Sequence, residues 1–144
     1  MRKVIRRLGI TSIVLLIGIS ISNAQCNADS KADACVSKLQ DGFIFVKKFA
    51  VDGQAGAKEK LEFPYLFSKN MQYYINICNE GADTDGIVVT MYDSKRQMVS
   101  TNYNNGKFYP AIIYPCNASG IYYITFTFKD SQNYCGGGVL GFKK

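Results

Sequence analysis

The stretch Ile121-Tyr122-Tyr123-Ile124-Thr125-Phe126-Thr127-Phe128 decides how this chain folds. It is built of β-branched and aromatic residues, which suit a pleated, half-buried backbone. Successive side chains of a strand point to opposite faces. Tyr122, Ile124, Phe126 and Phe128 therefore form one strongly apolar face, and Tyr123, Thr125 and Thr127 form a face compatible with solvent. The stretch predicts a strand lying over a core. Tyr123 is the candidate surface contact, because a tyrosine can offer its ring to a partner while its hydroxyl stays wet.

Working outward, similar runs recur every dozen residues or so, at 43–51, 61–67, 72–78, 87–92, 98–102, 108–114 and 138–142. They are separated by turn formers, including Asp52-Gly53, Asn105-Gly106 and Ser119-Gly120. In 61–67 the residues Leu61, Phe63, Tyr65 and Phe67 alternate, and Pro64 between them cannot donate to a ladder, which places this strand at a sheet edge. One segment breaks the pattern. Ala32, Cys35, Val36 and Leu39 fall at i, i+3, i+4 and i+7 and predict a short helix over 30–41, with Ser30 and Asp33 as its capping pair and Gly42 as its stop. Many short strands behind a single leading helix make a mainly β fold, an antiparallel sandwich or barrel.

The N-terminus has a different logic. Arg2, Lys3, Arg6 and Arg7 precede an uncharged, mostly apolar run at 8–21, and Ser22-Asn23-Ala24 follows with small residues first and last. This order is that of an export signal cleaved after Ala24. The run is shorter than the roughly 20 residues of a spanning helix, so no stable membrane span is expected after cleavage. A lipid anchor on Cys26 is disfavoured by Gln25, where a small residue is needed. The remaining 25–144 is long enough for one domain. The formal charge of +6 comes from 17 basic and 11 acidic residues. Four of the basic ones leave with the signal, so the mature balance is 13 − 11 = +2 and gives no footprint for nucleic acid.

Export to the periplasm or the medium gives the five cysteines, Cys26, Cys35, Cys78, Cys116 and Cys135, an environment in which disulfides persist. Five is odd, so one thiol stays free or pairs between chains; with four used, there are 15 arrangements. If 121–128 is a continuous strand, Cys116 and Cys135 lie beyond its opposite ends, roughly 25 Å apart, and do not pair. Zinc is disfavoured, since the chain has no His and no Cys-x-x-Cys.

Lack of His also removes His-dependent hydrolase triads. Carboxylate chemistry of the glycosidase kind has candidates in Glu59, Glu62, Glu80, Asp83, Asp85, Asp93 and Asp130, but no spacing selects a pair. The densest acidic group, Asn79, Glu80, Asp83 and Asp85 around Gly81 and Gly86, supplies hard oxygen ligands on one loop and is a candidate calcium site. The competing explanation is that Asp and Gly simply build a tight turn. Lys47, Lys48, Lys58, Lys60 and Lys69, interleaved with Glu59 and Glu62, suit the protection of an edge strand. Asn117-Ala118-Ser119 matches a glycosylation acceptor.

From Gln72 to the C-terminus the chain resembles the pre-peptidase C-terminal type of β-sandwich, a small jelly-roll-like domain of secreted bacterial proteins. The residues that carry this likeness are Tyr73-Tyr74-Ile75-Asn76-Ile77, the acidic turn Asp83-Thr84-Asp85-Gly86 leading into Ile87-Val88-Val89-Thr90-Met91-Tyr92-Asp93, and Gly120-Ile121-Tyr122-Tyr123-Ile124-Thr125-Phe126. The leading helix and the cysteine set depart from the family plan. The resemblance implies a sandwich rather than a barrel and a non-catalytic role, without naming a ligand. The leading expectation is accordingly a secreted or periplasmic binding module of the cell envelope, with protein or polysaccharide as the ligand class, no catalytic residues and no cofactor beyond the candidate calcium. Two other functions remain open: a structural or assembly component joined through a cysteine or an edge strand, and a small carboxylate hydrolase.

Overall fold

Among the described residues, the strands of the two main sheets pair first with last. The structure, a computed structural model, describes residues 26–56, 60–78, 86–129 and 134–144. Helix α1 (Ala28–Val36) leads into β1 (Ile44–Asp52), β2 (Lys60–Phe67), β3 (Gln72–Cys78), β4 (Ile87–Tyr92) and β5 (Met98–Thr101). A small hairpin, β6 (Tyr103–Asn104) with β7 (Lys107–Phe108), precedes β8 (Ala111–Pro115), β9 (Gly120–Phe128) and β10 (Cys135–Lys143). β1 pairs with β10, β2 with β9, β3 with β8, and β4 with β5, all antiparallel. The chain is thus one long hairpin whose tip is the β4–β5 turn. Pairing of β10 with β3 and of β9 with β4 wraps it into two four-stranded sheets, β1-β10-β3-β8 and β2-β9-β4-β5. This connectivity is a jelly-roll sandwich.

The core lies between the sheets. Phe49, Val51, Tyr73, Ile75, Ile112 and Leu140 from the first sheet face Phe67, Ile87, Val89, Met91, Tyr122, Ile124 and Phe126 from the second. Phe67 is stacked between two tyrosines, 3.6 Å from Tyr73 and 4.8 Å from Tyr122 between ring centres. As the alternation in 121–128 requires, Tyr122, Ile124 and Phe126 are buried. β2 with its Pro64 is an edge strand.

The helix is shorter than its apolar periodicity implies, and its caps differ. Asn27, not Ser30, is the N-cap, its side-chain oxygen accepting the Ser30 N–H at 3.2 Å. The helix ends at Val36. There the Ser37 hydroxyl donates to Ala34 O, and the chain leaves through short-range bonds from Lys38 N to Cys35 O and Leu39 N to Val36 O. Such local bonding competes with helix continuation. Gly42, with φ +84°, serves a separate turn in which Phe43 N donates to Gln40 O.

α1 lies on the outer face of the first sheet and buries Ala28, Ala32 and Cys35. Two disulfides hold it there: Cys26–Cys135 just before the helix and Cys35–Cys78 in its last turn. A nine-residue helix is marginal alone, so this tethering and the packing beneath it supply its stability. Gly137 makes the packing possible, because a Cβ there would sit 2.5 Å from Ala32 N. From sequence the last strand begins at Gly138, whereas β10 starts at Cys135. Gly136 and Gly137 pair within the strand, and at Gly137 the helix backbone lies too close for any side chain. The 108–114 strand is also revised. It divides at Tyr109–Pro110, where Tyr109 N turns away to Asn102 O and Pro110 has no N–H to give.

Candidate functional site

The two outer faces of the sandwich are unlike. One carries α1; the other, on β2-β9-β4-β5, carries a patch of apolar side chains in register. Its row runs across all four strands as Pro64↔Tyr123, Tyr123↔Tyr92 and Tyr92↔Met98. The neighbouring pair is Leu66↔Ile121. Leu66 is 65% exposed, Met98 63% and Ile121 48%, and Pro64 is exposed as well. At about 4.8 Å between strands, the row spans roughly 14 Å.

Next to it lies a polar row in which Glu62 opposes Thr125, Thr125 opposes Thr90, and Thr90 opposes Thr101. The Thr125 hydroxyl donates to Glu62 Oε2 at 3.3 Å, and Thr90 and Thr101 bond to each other. Glu62 also binds Arg96 at 2.8 Å and Lys60 at 2.9 Å. The Arg96 hydrogen bond, followed by that of Lys60, holds the Glu62 carboxyl below its ordinary value of 4.5. It therefore stays ionised, the opposite of what a general acid at neutral pH requires.

Arg96 sits in the β4–β5 turn. Asp93 O accepts from Arg96 N, and the Asp93 carboxylate accepts from Lys95 N and Gln97 N at 2.9 Å each. This closes a three-residue loop whose last position is left-handed, a position usually given to Gly. Arg96 occupies it with φ +64°. From there its guanidinium carbon lies 3.5 Å from the centre of the Tyr123 ring. A bulge between Met91 and Tyr92 sets this end of the sheet.

Of the carboxylates the sequence offers, Glu62 and Asp93 fall within the described residues, and both are committed to structural partners. Asn79, Glu80, Asp83 and Asp85, the candidate calcium ligands, lie outside them, as do Glu59, Asp130 and the export signal at 1–24. Tyr123 does reach the outer face, half-buried beneath Arg96. Leu66, Ile121, Met98 and Arg96 were not singled out from sequence. The signal for Leu66 was present, since Leu61, Phe63, Tyr65 and Phe67 facing inward leaves Leu66 facing out.

Cys116 is the free cysteine, and it is 2% exposed. Its sulfur lies 3.1 Å from Ala118 O, which also accepts the Tyr122 hydroxyl at 2.9 Å. Burial, with hydrogen bonds to Tyr114 and Cys116, pushes the Tyr122 phenol well above its ordinary range, so it stays neutral. An open depression of about 280 Å³ lies in front of Cys116, between the β2–β3 turn, the end of β8 and Lys144. Among the described residues no group of three or more His, Cys, Asp or Glu is placed to hold a metal, and no helix is long and apolar enough to cross a membrane. No protein-family model matches the chain, and no curated protein matches it.

Proposed function

We propose that this is an exported, non-catalytic binding module of the cell envelope that engages a protein through the outer face of β2-β9-β4-β5. The observation that carries this reading is the apolar patch itself, six residues aligned by strand register on a face that α1 does not reach. Contiguous exposed apolar patches on otherwise soluble surfaces mark interaction sites. The disulfides and the export signal support an oxidising location outside the cytoplasm. The resemblance to a family of accessory sandwich modules leads to the same class of function.

Protein is favoured over polysaccharide by the chemistry of the patch. Sugars stack on flat, open rings, whereas Leu66, Ile121 and Met98 are aliphatic and the Tyr123 ring is already covered by Arg96. Assembly through a cysteine has less support, since the free thiol is buried. At two of the four edges of the main sheets, strand addition meets Pro64 on β2, and on β1 a bulge followed by Lys47 lying over the Phe49 and Phe63 rings. Such features block strand addition.

The test is affinity co-purification of tagged 25–144 from its own envelope and secreted fractions, with Leu66→Asp and Ile113→Asp run in parallel. A saturable protein partner lost with Leu66→Asp and kept with Ile113→Asp, on the other sheet, supports the reading. Equal retention by both variants contradicts it.

A further inference from the structure

The charge around the patch identifies the kind of protein it fits. An interface of ordinary size takes about 20–30 residues a side. The six apolar residues can therefore form only its centre, and the surrounding side chains must form its rim. That rim is cationic. Arg96 borders the apolar row over Tyr123, Lys60 lies beyond the adjoining polar row where it meets Glu62, Lys95 stands in the β4–β5 turn, and Lys69 lies in the turn after β2, where its backbone N–H meets Ser119 beside the start of β9. Among the described residues, Glu62 and Asp93 stand against these four cations, and neither is available to a partner. Glu62 is held by Lys60, Arg96 and Thr125, and Asp93 accepts the N–H groups of its own turn. Lys69 and Lys95 make no ion pair with any described residue.

We infer that the face docks an acidic protein surface, an apolar knob flanked by Asp and Glu. This rests on the docking reading above and adds the partner's chemistry to it. A second copy of the chain is the alternative occupant, and the same charges argue against it. In a two-fold pair each patch meets itself, so each cationic rim faces a cationic rim. Obligate dimer faces are also larger and more apolar than six residues provide.

The backbone of Arg96 adds a second observation. It occupies a left-handed position that Gly or Asn would fill with less strain. Strain at a single exposed residue is commonly retained where the side chain does something a glycine cannot. Here that side chain lies flat over Tyr123 beside the apolar row, with a guanidinium that can hold a second carboxylate bidentately.

The experiment places the photo-crosslinker p-benzoylphenylalanine at position 121, and separately at 113, in the full chain expressed in the cells that make it. The protein captured at 121 is identified, purified and rebound to wild-type chain and to the Lys69→Glu/Lys95→Glu double variant, at low and at physiological salt. The inference predicts capture at 121 and not at 113. It also predicts rebinding weakened about tenfold or more by charge reversal and weakened again by salt. Rebinding that ignores both charge reversal and salt would overturn the acidic partner while leaving the docking face standing. A crosslinked pair of this chain would overturn it in favour of self-association. Absence of a 121-specific protein product would overturn both.

Discussion

The guanidinium of Arg96 lies 3.5 Å above the ring of Tyr123, reached from a left-handed turn position three residues after Asp93. The contact links the tip of the long hairpin to the central strand β9. It costs backbone strain and yields a surface-exposed cation fixed in place. Replacement of Arg96 by Gly relieves the strain and removes the stack, two effects of opposite sign. The expected melting temperature of Arg96→Gly stays within a few degrees of wild type, while partner binding falls clearly. A large loss of stability in thermal unfolding would mean that the stack holds the fold rather than the face.

Gly137 is required by the approach of α1. A Cβ at this position meets helix backbone at 2.5 Å, and backbone cannot swing aside as a side chain can. Gly137→Ala is expected to destabilise by about 2 kcal/mol or more, in the range of overpacked cores. Gly120→Ala, where a Cβ meets nothing within 4 Å, is expected to be neutral. Urea titration of the pair separates crowding from a general glycine effect.

Asn102 is 1% exposed, and its side chain ties β4 to the Tyr109–Pro110 break between β7 and β8. Its oxygen accepts Val89 N at 2.7 Å, and its amide donates to Ile87 O at 3.1 Å and Tyr109 O at 3.0 Å. Asn102→Ala strands one buried donor and weakens two acceptors, and should cost about 3 kcal/mol in chemical denaturation. Asn102→Asp should be at least as damaging, because a carboxylate cannot donate to either carbonyl.

Glu62 gives a pH signature. Its carboxyl is depressed in the folded state by Arg96 and then Lys60, so its contribution to stability is present above pH 4.5 and is lost as pH falls through the folded value. With both cations exposed, the contribution is less than about 1 kcal/mol. The stability difference between wild type and Glu62→Gln should therefore be constant above about pH 5.5 and shrink toward zero in acid.

The disulfides and the remaining thiol can be checked together. Non-reducing peptide mapping should find Cys26–Cys135 and Cys35–Cys78. Cys116 should resist a thiol reagent in the native protein and react once per chain in denaturant. Loops of this length imply about 4–5 kcal/mol each in the chain-entropy view, so the Cys35→Ser/Cys78→Ser variant should lose several kcal/mol and loosen α1 first.

Much of the sandwich was legible because period-two alternation is a direct imprint of a half-buried strand. β3 and β4 begin and end where their Tyr, Ile and Val runs do, and Pro64 placed β2 at an edge. The misreadings arose where tertiary contacts override local signals. The last strand reads too short because Gly136 and Gly137 carry no alternation, the helix across Gly137 being what requires glycine there, and 108–114 looks continuous until Asn102 captures Tyr109. Disulfide pairing is a long-range property that alternation does not encode, although strand length alone kept Cys116 from Cys135. The candidate site was half visible. Tyr123 stood out by its register, but Arg96 depends on a turn geometry, and Met98 on a bulge, that no spacing rule reports.

The most direct measurement of the central claim, that the outer face of β2-β9-β4-β5 is where this protein docks, is hydroxyl-radical footprinting of the free protein and of the protein loaded with its envelope partner. Docking on this face predicts protection of Leu66, Met98 and Tyr123 on loading, with Tyr109 and Ile113 unchanged. Protection at Tyr109 or Ile113 while Leu66, Met98 and Tyr123 stay reactive would contradict it.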